Sequence, residues 1–221
     1  MYLSLLEITT DARGRRFLAD PYRVHQKLLN AFPDGQAGRV LFRIEEASAD
    51  ELGLDDRPPR ILVQAPIAAD WSRAFADLPT LARVPRQKEI APSFSSGRRL
   101  RFRLRANPTI RRKLDLKPRS EGKEPKDGNR FGLLKEEEQR AWLERKGAGG
   151  GFKLLEYDVQ ARGQARFQAG RGEQHRTETH VDVTFEGYLE VTDPDAFAAV
   201  LDGGIGAAKA YGFGLLSVAS A

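Results

Sequence analysis

The sequence predicts an α+β fold built from two βαββαβ halves in tandem, residues 1–92 and 97–221. Three observations carry that prediction. The order strand, helix, strand, strand, helix, strand is read twice along the 221 residues. Two Asp-Pro pairs, Asp20-Pro21 and Asp193-Pro194, each join an N-cap to a proline at the first helical position, and so mark helix starts. The run Arg99 to Ala106 alternates arginine with apolar residues, the period of a strand that buries one face.

In chain order, Tyr2 to Ile8 reads as a buried strand, followed by a polar loop with Arg13, Arg15 and Arg16. The Asp20-Pro21 start opens a helix through Tyr22-Arg23-Val24-His25-Gln26-Lys27-Leu28-Leu29 to about Ala31, and Pro33 stops it. Strands follow at Val40 to Ile44 and Ile61 to Ala65, then a short helix at Trp71 to Asp77 and a strand near Lys88 to Ala91. This is the ferredoxin-like (RRM-like) order. The second half repeats it with a strand at Arg99 to Ala106, a helix at Leu133 to Lys146 and a strand at Phe152 to Tyr157. Hairpin strands at Gln164 to Gln168 and Val181 to Val191 come next. The helix from Pro194 and a last strand at Phe213 to Val218 complete it. Lys113 to Arg130 is polar, basic and rich in Gly and Pro, a disordered insertion or a loop that orders on a ligand. Gly147 to Gly151 reads as a helix C-cap and flexible turn.

Forty per cent hydrophobic residues suffice for a core, and the absence of cysteine excludes disulfides and thiolate metal sites. The opening residues lack the basic and apolar regions of a signal peptide, and no run approaches the roughly 20 apolar residues that span a bilayer. A soluble cytoplasmic protein is the expectation. The net charge of +5 is unevenly placed. Residues 98–130 hold thirteen Lys or Arg against four Asp or Glu, a local +9 that leaves −4 for the remainder. Such a segment suits a polyanion partner, or is a solvated loop.

Four stretches could carry chemistry. Gly203 to Leu216 holds five glycines around Lys209; its N–H groups could cradle a phosphate, or it is a long helix C-cap and turn. A nucleotide loop follows a strand and opens a helix, whereas this one does the reverse. Tyr22 and His25, three residues apart, share one helix face with Arg23 and Lys27 close by. Imidazole and phenol together can move the protons of RNA transesterification, or they simply cover the helix. Arg99, Arg101, Arg103 and Arg105 fall on one face of their strand with no acid among them, which favours a phosphate backbone. The hairpin tip from Gly170 to Arg176 offers a weaker basic finger. His180, alternating with Val181, Val183 and Phe185, reads as a surface residue, and His175 and His180 make a poor metal site.

In their order and spacing these motifs resemble the CasE family of CRISPR-associated endoribonucleases, which process precursor CRISPR RNA in the type I-E Cascade system. The residues that carry the likeness are Met1-Tyr2-Leu3-Ser4, Pro21-Tyr22-Arg23-Val24-His25, Phe102 to Pro108, Ala141 to Lys146, Phe185 to Leu189 and Gly204 to Ser217. The resemblance implies two ferredoxin-like domains and cleavage at the base of each repeat stem-loop without metal or cofactor. The enzyme would stay bound to its product among other Cascade subunits, away from any membrane. By position it implies His25 as general acid and Tyr22 as the base, or as the group orienting the 2′-OH. Some relatives carry a basic residue after the histidine, where this chain has Gln26, so Lys27 or Arg23 would substitute. Arg166, Arg171 and Arg176 are the candidates on the hairpin, and Lys209 is a phosphate contact. A non-catalytic RNA-binding subunit of the same complex is the alternative.

Overall fold

The computed structural model describes residues 1–45, 58–83, 86–111, 130–169 and 176–221. Alternation of apolar residues builds two four-stranded antiparallel sheets. The first joins β1 (Tyr2–Glu7), β2 (Leu41–Glu45), β3 (Arg60–Ala65) and β4 (Arg86–Glu89) in the spatial order β2-β3-β1-β4. Helices α1 (Ala12–Leu18), α2 (Pro21–Leu29) and α3 (Trp71–Ala74) pack on it around Leu6, Val24, Leu28, Phe42 and Trp71. The second sheet joins β5 (Arg99–Ala106), β8 (Phe152–Ala169), β9 (Arg176–Val191) and β10 (Leu216–Ser220) in the order β10-β5-β9-β8. Helices α4 (Glu136–Gly149) and α5 (Pro194–Gly203) cover one face, with Trp142 stacked on Phe185 at 6.2 Å. Both orders are the ferredoxin-like arrangement: the fourth strand pairs with the first, and the first with the third. A two-stranded ribbon, β6 (Thr109–Arg111) with β7 (Arg130–Gly132), follows β5 and had no sequence signal. Among the described residues no helix is long and apolar enough to cross a membrane.

Several elements differ from expectation for local reasons. The segment with Arg13, Arg15 and Arg16 is a helix, because Asp11 Oδ1 accepts the N–H groups of Arg13 and Gly14, and Phe17 packs edge-on against Phe75. The helix expected from Leu133 begins at Glu136 instead. Leu133 is buried, and its carbonyl accepts Gln139 Nε2–H at 3.0 Å, while three glutamates in the first turn meet the positive helix end. That helix also runs on through Gly149, where a cap had been expected from Gly147. Phe152 to Tyr157 and Gln164 to Gln168 are one strand, interrupted only by bulges at Leu154/Tyr157 and Ala161/Gly163. The helix at Trp71 is a single turn, β4 starts at Arg86, and the last strand starts at Leu216 because Phe213 to Leu215 are buried in the loop ahead of it. Residues 113–129 and the hairpin tip 170–175 lie outside the described residues.

The two halves meet through β2. Buried Arg43 donates to Glu45 at 2.6 Å and to the carbonyls of Arg103 and Leu215 at 3.3 and 3.4 Å. Gln64 Nε2 donates to the Leu201 carbonyl at 2.7 Å. A buried guanidinium demands several acceptors, and here they come from both halves.

Candidate active site

Asp20 fixes the start of α2: its Oδ1 accepts the Arg23 N–H at 3.0 Å, and Pro21 fills the first helical position. Val24 and Leu28 then face the core, and Tyr22 and His25 share the adjoining face. His25 lies on Phe42 of β2, ring centroids 5.9 Å apart and planes 11° from parallel. Tyr22 packs on Tyr211 at 5.7 Å. Tyr211 belongs to a 3-10 turn (Lys209–Tyr211) of the glycine-rich loop, and its ring also meets Phe167 of β8 at 5.2 Å. The second half therefore supports one of the two side chains. His25 Nδ1 is buried with no hydrogen-bond partner among the described residues, and burial pushes the imidazole pKa below its ordinary 6.5. The ring is a neutral, desolvated group that a phosphate nearby would draw toward protonation.

The glycine-rich loop packs against the first half. Gly204 and Gly212 have φ of +70° and +81°, and a Cβ would meet Leu41 at 2.8 Å at the first and Phe42 at 3.1 Å at the second. Any side chain would be strained at both, and one at Gly212 would push the ring that carries His25. Lys209 Nζ donates to the Gly206 carbonyl at 2.6 Å. Burial lowers its pKa, and Arg39, Lys146 and Arg130 lower it further.

The cations on α2 are placed differently. Lys27 is ion-paired with Asp77 and sits 5.8 Å over the Phe75 ring. It is two residues from His25, so about 160° away round the helix, and cannot take the place of a base after the histidine. Arg23 is exposed and contributes to lowering the Asp77 pKa.

On β5 the alternation holds, with Leu100, Phe102, Leu104 and Ala106 buried. The expected uncompensated arginine face does not, because β9 supplies the missing acids. Glu190 stands opposite Arg99 at 3.4 Å, Glu186 pairs with Arg103, and Asp182 takes Arg105 through two hydrogen bonds of 2.9 and 2.5 Å. Arg105 also lies 4.8 Å over the Phe213 ring. A single strand's sequence cannot show a cross-strand partner some 80 residues away. Arg101 remains, exposed opposite Tyr188, with no ion pair among the described residues. Arg101→Ala is expected to weaken RNA binding and to lower the slope of log K against log salt by roughly 0.7–0.9. Arg103→Ala should change it less, since Glu186 already balances that charge. An unchanged slope for Arg101→Ala makes the strand an ordinary solvated face. Arg166 is exposed on β8 opposite Thr179, Arg176 opens β9, and Arg171 lies outside the described residues.

His180 is no surface residue. Its ring lies 4.7 Å from Tyr211 and 5.7 Å from Phe167, with 13% of the side chain exposed. Asn107 fixes its tautomer: Asn107 Oδ1 accepts the Val181 N–H at 3.0 Å, so the Nδ2 amide is what meets His180 Nδ1 at 3.1 Å. His180 Nδ1 is then the acceptor, and the proton sits on Nε2, 3.4 Å from Glu178. Asn107 carried a legible signal, as part of the Phe102 to Pro108 motif. The burial of Asp182 and Thr184 did not, because Asp182 is covered by Arg105 of β5, itself capped by Phe213 of the glycine-rich loop, and neither is near in sequence.

Fold and site define a tandem ferredoxin-like protein that sets an imidazole and a phenol on one helix face against a glycine-rich loop. A family described as CRISPR associated protein matches residues 1–220, and the chain belongs to it. The chain is 38% identical to the CRISPR-associated endoribonuclease Cse3 of Thermus thermophilus, covering 99% of this chain and all of that protein. It is 33% identical to the CRISPR system Cascade subunit CasE of Escherichia coli (strain K12), covering 99% of each. The solved structure of Thermus thermophilus Cse3 bound to an RNA representing a pre-cleavage complex superposes with a TM-score of 0.78 at 36% identity, covering 99% of this chain and 98% of that one.

Proposed function

We propose that this chain is a metal-independent endoribonuclease that cuts precursor CRISPR RNA at the base of the repeat stem-loop. It remains on the product hairpin as a subunit of Cascade, in the cytoplasm. In this reading residues 1–92 carry the catalytic helix, and residues 97–221 hold the RNA. The observation that carries it is the pairing of Tyr22 with a desolvated His25 on one face of α2, each seated on an aromatic ring. The names of the relatives support the same reading: an endoribonuclease, a Cascade subunit and a Cse3–RNA complex.

The chemistry follows from those two groups. Tyr22 orients the ribose 2′-OH or takes its proton as the oxygen attacks the adjacent phosphorus. His25, protonated beside the phosphate, gives its proton to the departing 5′-oxygen. The P–O5′ bond breaks as the P–O2′ bond forms, leaving a 2′,3′-cyclic phosphate and a 5′-OH. No electrons change hands and no water is consumed. Arg23 and Lys209 are the candidates for balancing the charge of the phosphorane, Lys27 being held by Asp77.

The test is incubation with the cognate repeat RNA in EDTA and identification of both ends. Cyclic phosphate and 5′-hydroxyl ends at undiminished rate are expected. Loss of cleavage in EDTA overturns the metal-free mechanism. Cleavage that persists in a Tyr22→Phe, His25→Ala double variant overturns the site and favours a non-catalytic RNA-binding subunit.

A further inference from the structure

A cavity of about 360 Å³ is lined by the β6–β7 ribbon, β9 and the glycine-rich loop, Tyr211 included, with neither Tyr22 nor His25 on its wall. The ribbon is held against β9, since a Cβ on Gly132 would lie 2.3 Å from Val181. In the ribbon's register Ile110 pairs with Phe131, so these two point away, while Thr109, Arg130 and Gly132 line the cavity. The loop contributes Ala207 and Ala208. Ala208 has φ of +62°, and it is the one non-glycine residue in that region among the described residues. Such a backbone is costly and persists only where its surroundings hold it, which marks a shaped wall rather than a slack turn. The wall opposite comes from β9: Glu178, Thr179 and the ring of His180.

The polar groups divide by chemistry. Arg130 lines the cavity, and Lys209 directly follows Ala208. Arg130, Arg39 and Lys146 all act on Lys209 as like charges, and among the described residues none of the four has a carboxylate partner. Arg130 on the wall, and a cluster of like charges acting on Lys209 beside the loop residue Ala208, make this side of the cavity positive, which suits a phosphate. Glu178 and Thr109 lie within, while Thr179, between Glu178 and His180 on the strand, turns its side chain to the other face. A carboxylate accepts from an exocyclic amino group, the contact by which glutamate recognises cytosine. Its two oxygens carry about four lone-pair sites, so a carboxylate accepts from several donors at once. A volume at the lower end of small-ligand sites, with an acceptor and the Arg130 cation both on its lining, matches one nucleotide in size and polarity.

We propose that this cavity binds a single unpaired nucleotide of the RNA, one whose base carries an amino group, with its phosphate toward Arg130. The site lies outside the Tyr22–His25 face and would read a base next to the stem rather than the stem itself. The inference rests on the RNA-cleaving reading, and the test separates the two.

The experiment measures affinity of the full chain for repeat RNA made uncleavable by a 2′-deoxy residue at the cut. Each unpaired nucleotide is replaced in turn by an abasic one. At one position the loss is expected to reach about tenfold, within the range of a specific base contact. Purine riboside for adenosine, or inosine for guanosine, should reproduce it. Thr109→Tyr fills the cavity from the ribbon, and Arg130→Ala removes an exposed cation, and neither residue belongs to the buried core. In both variants the abasic RNA should bind no worse than the intact RNA. Normal cleavage of the stem-loop with no position coupled to either variant overturns the pocket and leaves the endoribonuclease standing. Failure to bind or cut the stem-loop at all overturns both. Free AMP or CMP bound in a Thr109-sensitive way, with no coupled RNA position, overturns the RNA as the source of the nucleotide. A coupled uridine overturns the amino-group assignment.

Discussion

Replacing His25 by alanine is expected to slow single-turnover cleavage of repeat RNA by roughly 10²–10⁴-fold, the range of a general acid–base group, while affinity stays within about threefold. The split is expected because His25 is held by packing on Phe42 and makes no hydrogen bond through Nδ1 whose loss would disturb α2. The pH dependence has a definite sign. A general acid must be protonated, and burial holds the His25 pKa below 6.5 in the protein alone. With RNA below saturation, the cleavage rate should therefore already be falling as pH rises through the range just under 6.5. With RNA saturating, a phosphate beside the ring raises the pKa, and the fall should begin at higher pH. A rate that climbs with pH over that window, and flattens in His25→Ala, makes His25 the base and leaves the acid to be found elsewhere. An equal loss of affinity and cleavage would mean that the ring only helps to hold RNA.

The second large effect is on stability. Asp182→Ala is expected to cost about 3–5 kcal/mol, because it strands a largely buried guanidinium without its carboxylate. The side chains of Arg105 and Asp182 are only 14% and 7% exposed, and Phe213 covers the guanidinium from the other side. Against a typical stability of about 5–15 kcal/mol this is a large fraction. For a chain of this length it should lower the melting temperature by roughly 10 °C. An Arg105→Met, Asp182→Leu double variant should recover most of the loss, since well-packed apolar side chains often replace a buried ion pair without penalty. A melting temperature of Asp182→Ala within about 2 °C of the parent means that the pair is solvated. The burial of the pair moves Arg105 from the RNA-facing set to the residues that hold the long β8–β9 hairpin on its sheet.

Much of this was written locally. Asp20-Pro21 and Asp193-Pro194 start the helices where they do because capping and a fixed proline φ act within a few residues. The alternation on β5 fixes which face is buried for the same reason. Helix α1 was missed because its Asp11 cap sits among polar residues that read equally well as a loop. The break expected near Tyr157 does not occur, since a bulge lets a strand absorb an irregular stretch that looks like a turn in sequence.

By itself the sequence determined the two βαββαβ halves, the Tyr22–His25 face, the glycine-rich loop as a special segment and the excess of positive charge. These rest on short-range spacing and on composition. Only the tertiary structure decided that Tyr211 comes to support Tyr22, that Gly212 lets the loop close on Phe42 beneath His25, and that Lys27 turns to Asp77. It also decided that β9 answers three of the four arginines on β5. Those contacts join residues many tens of positions apart, and no spacing along one chain records which distant carboxylate or ring will lie opposite a given side chain once the sheets have formed.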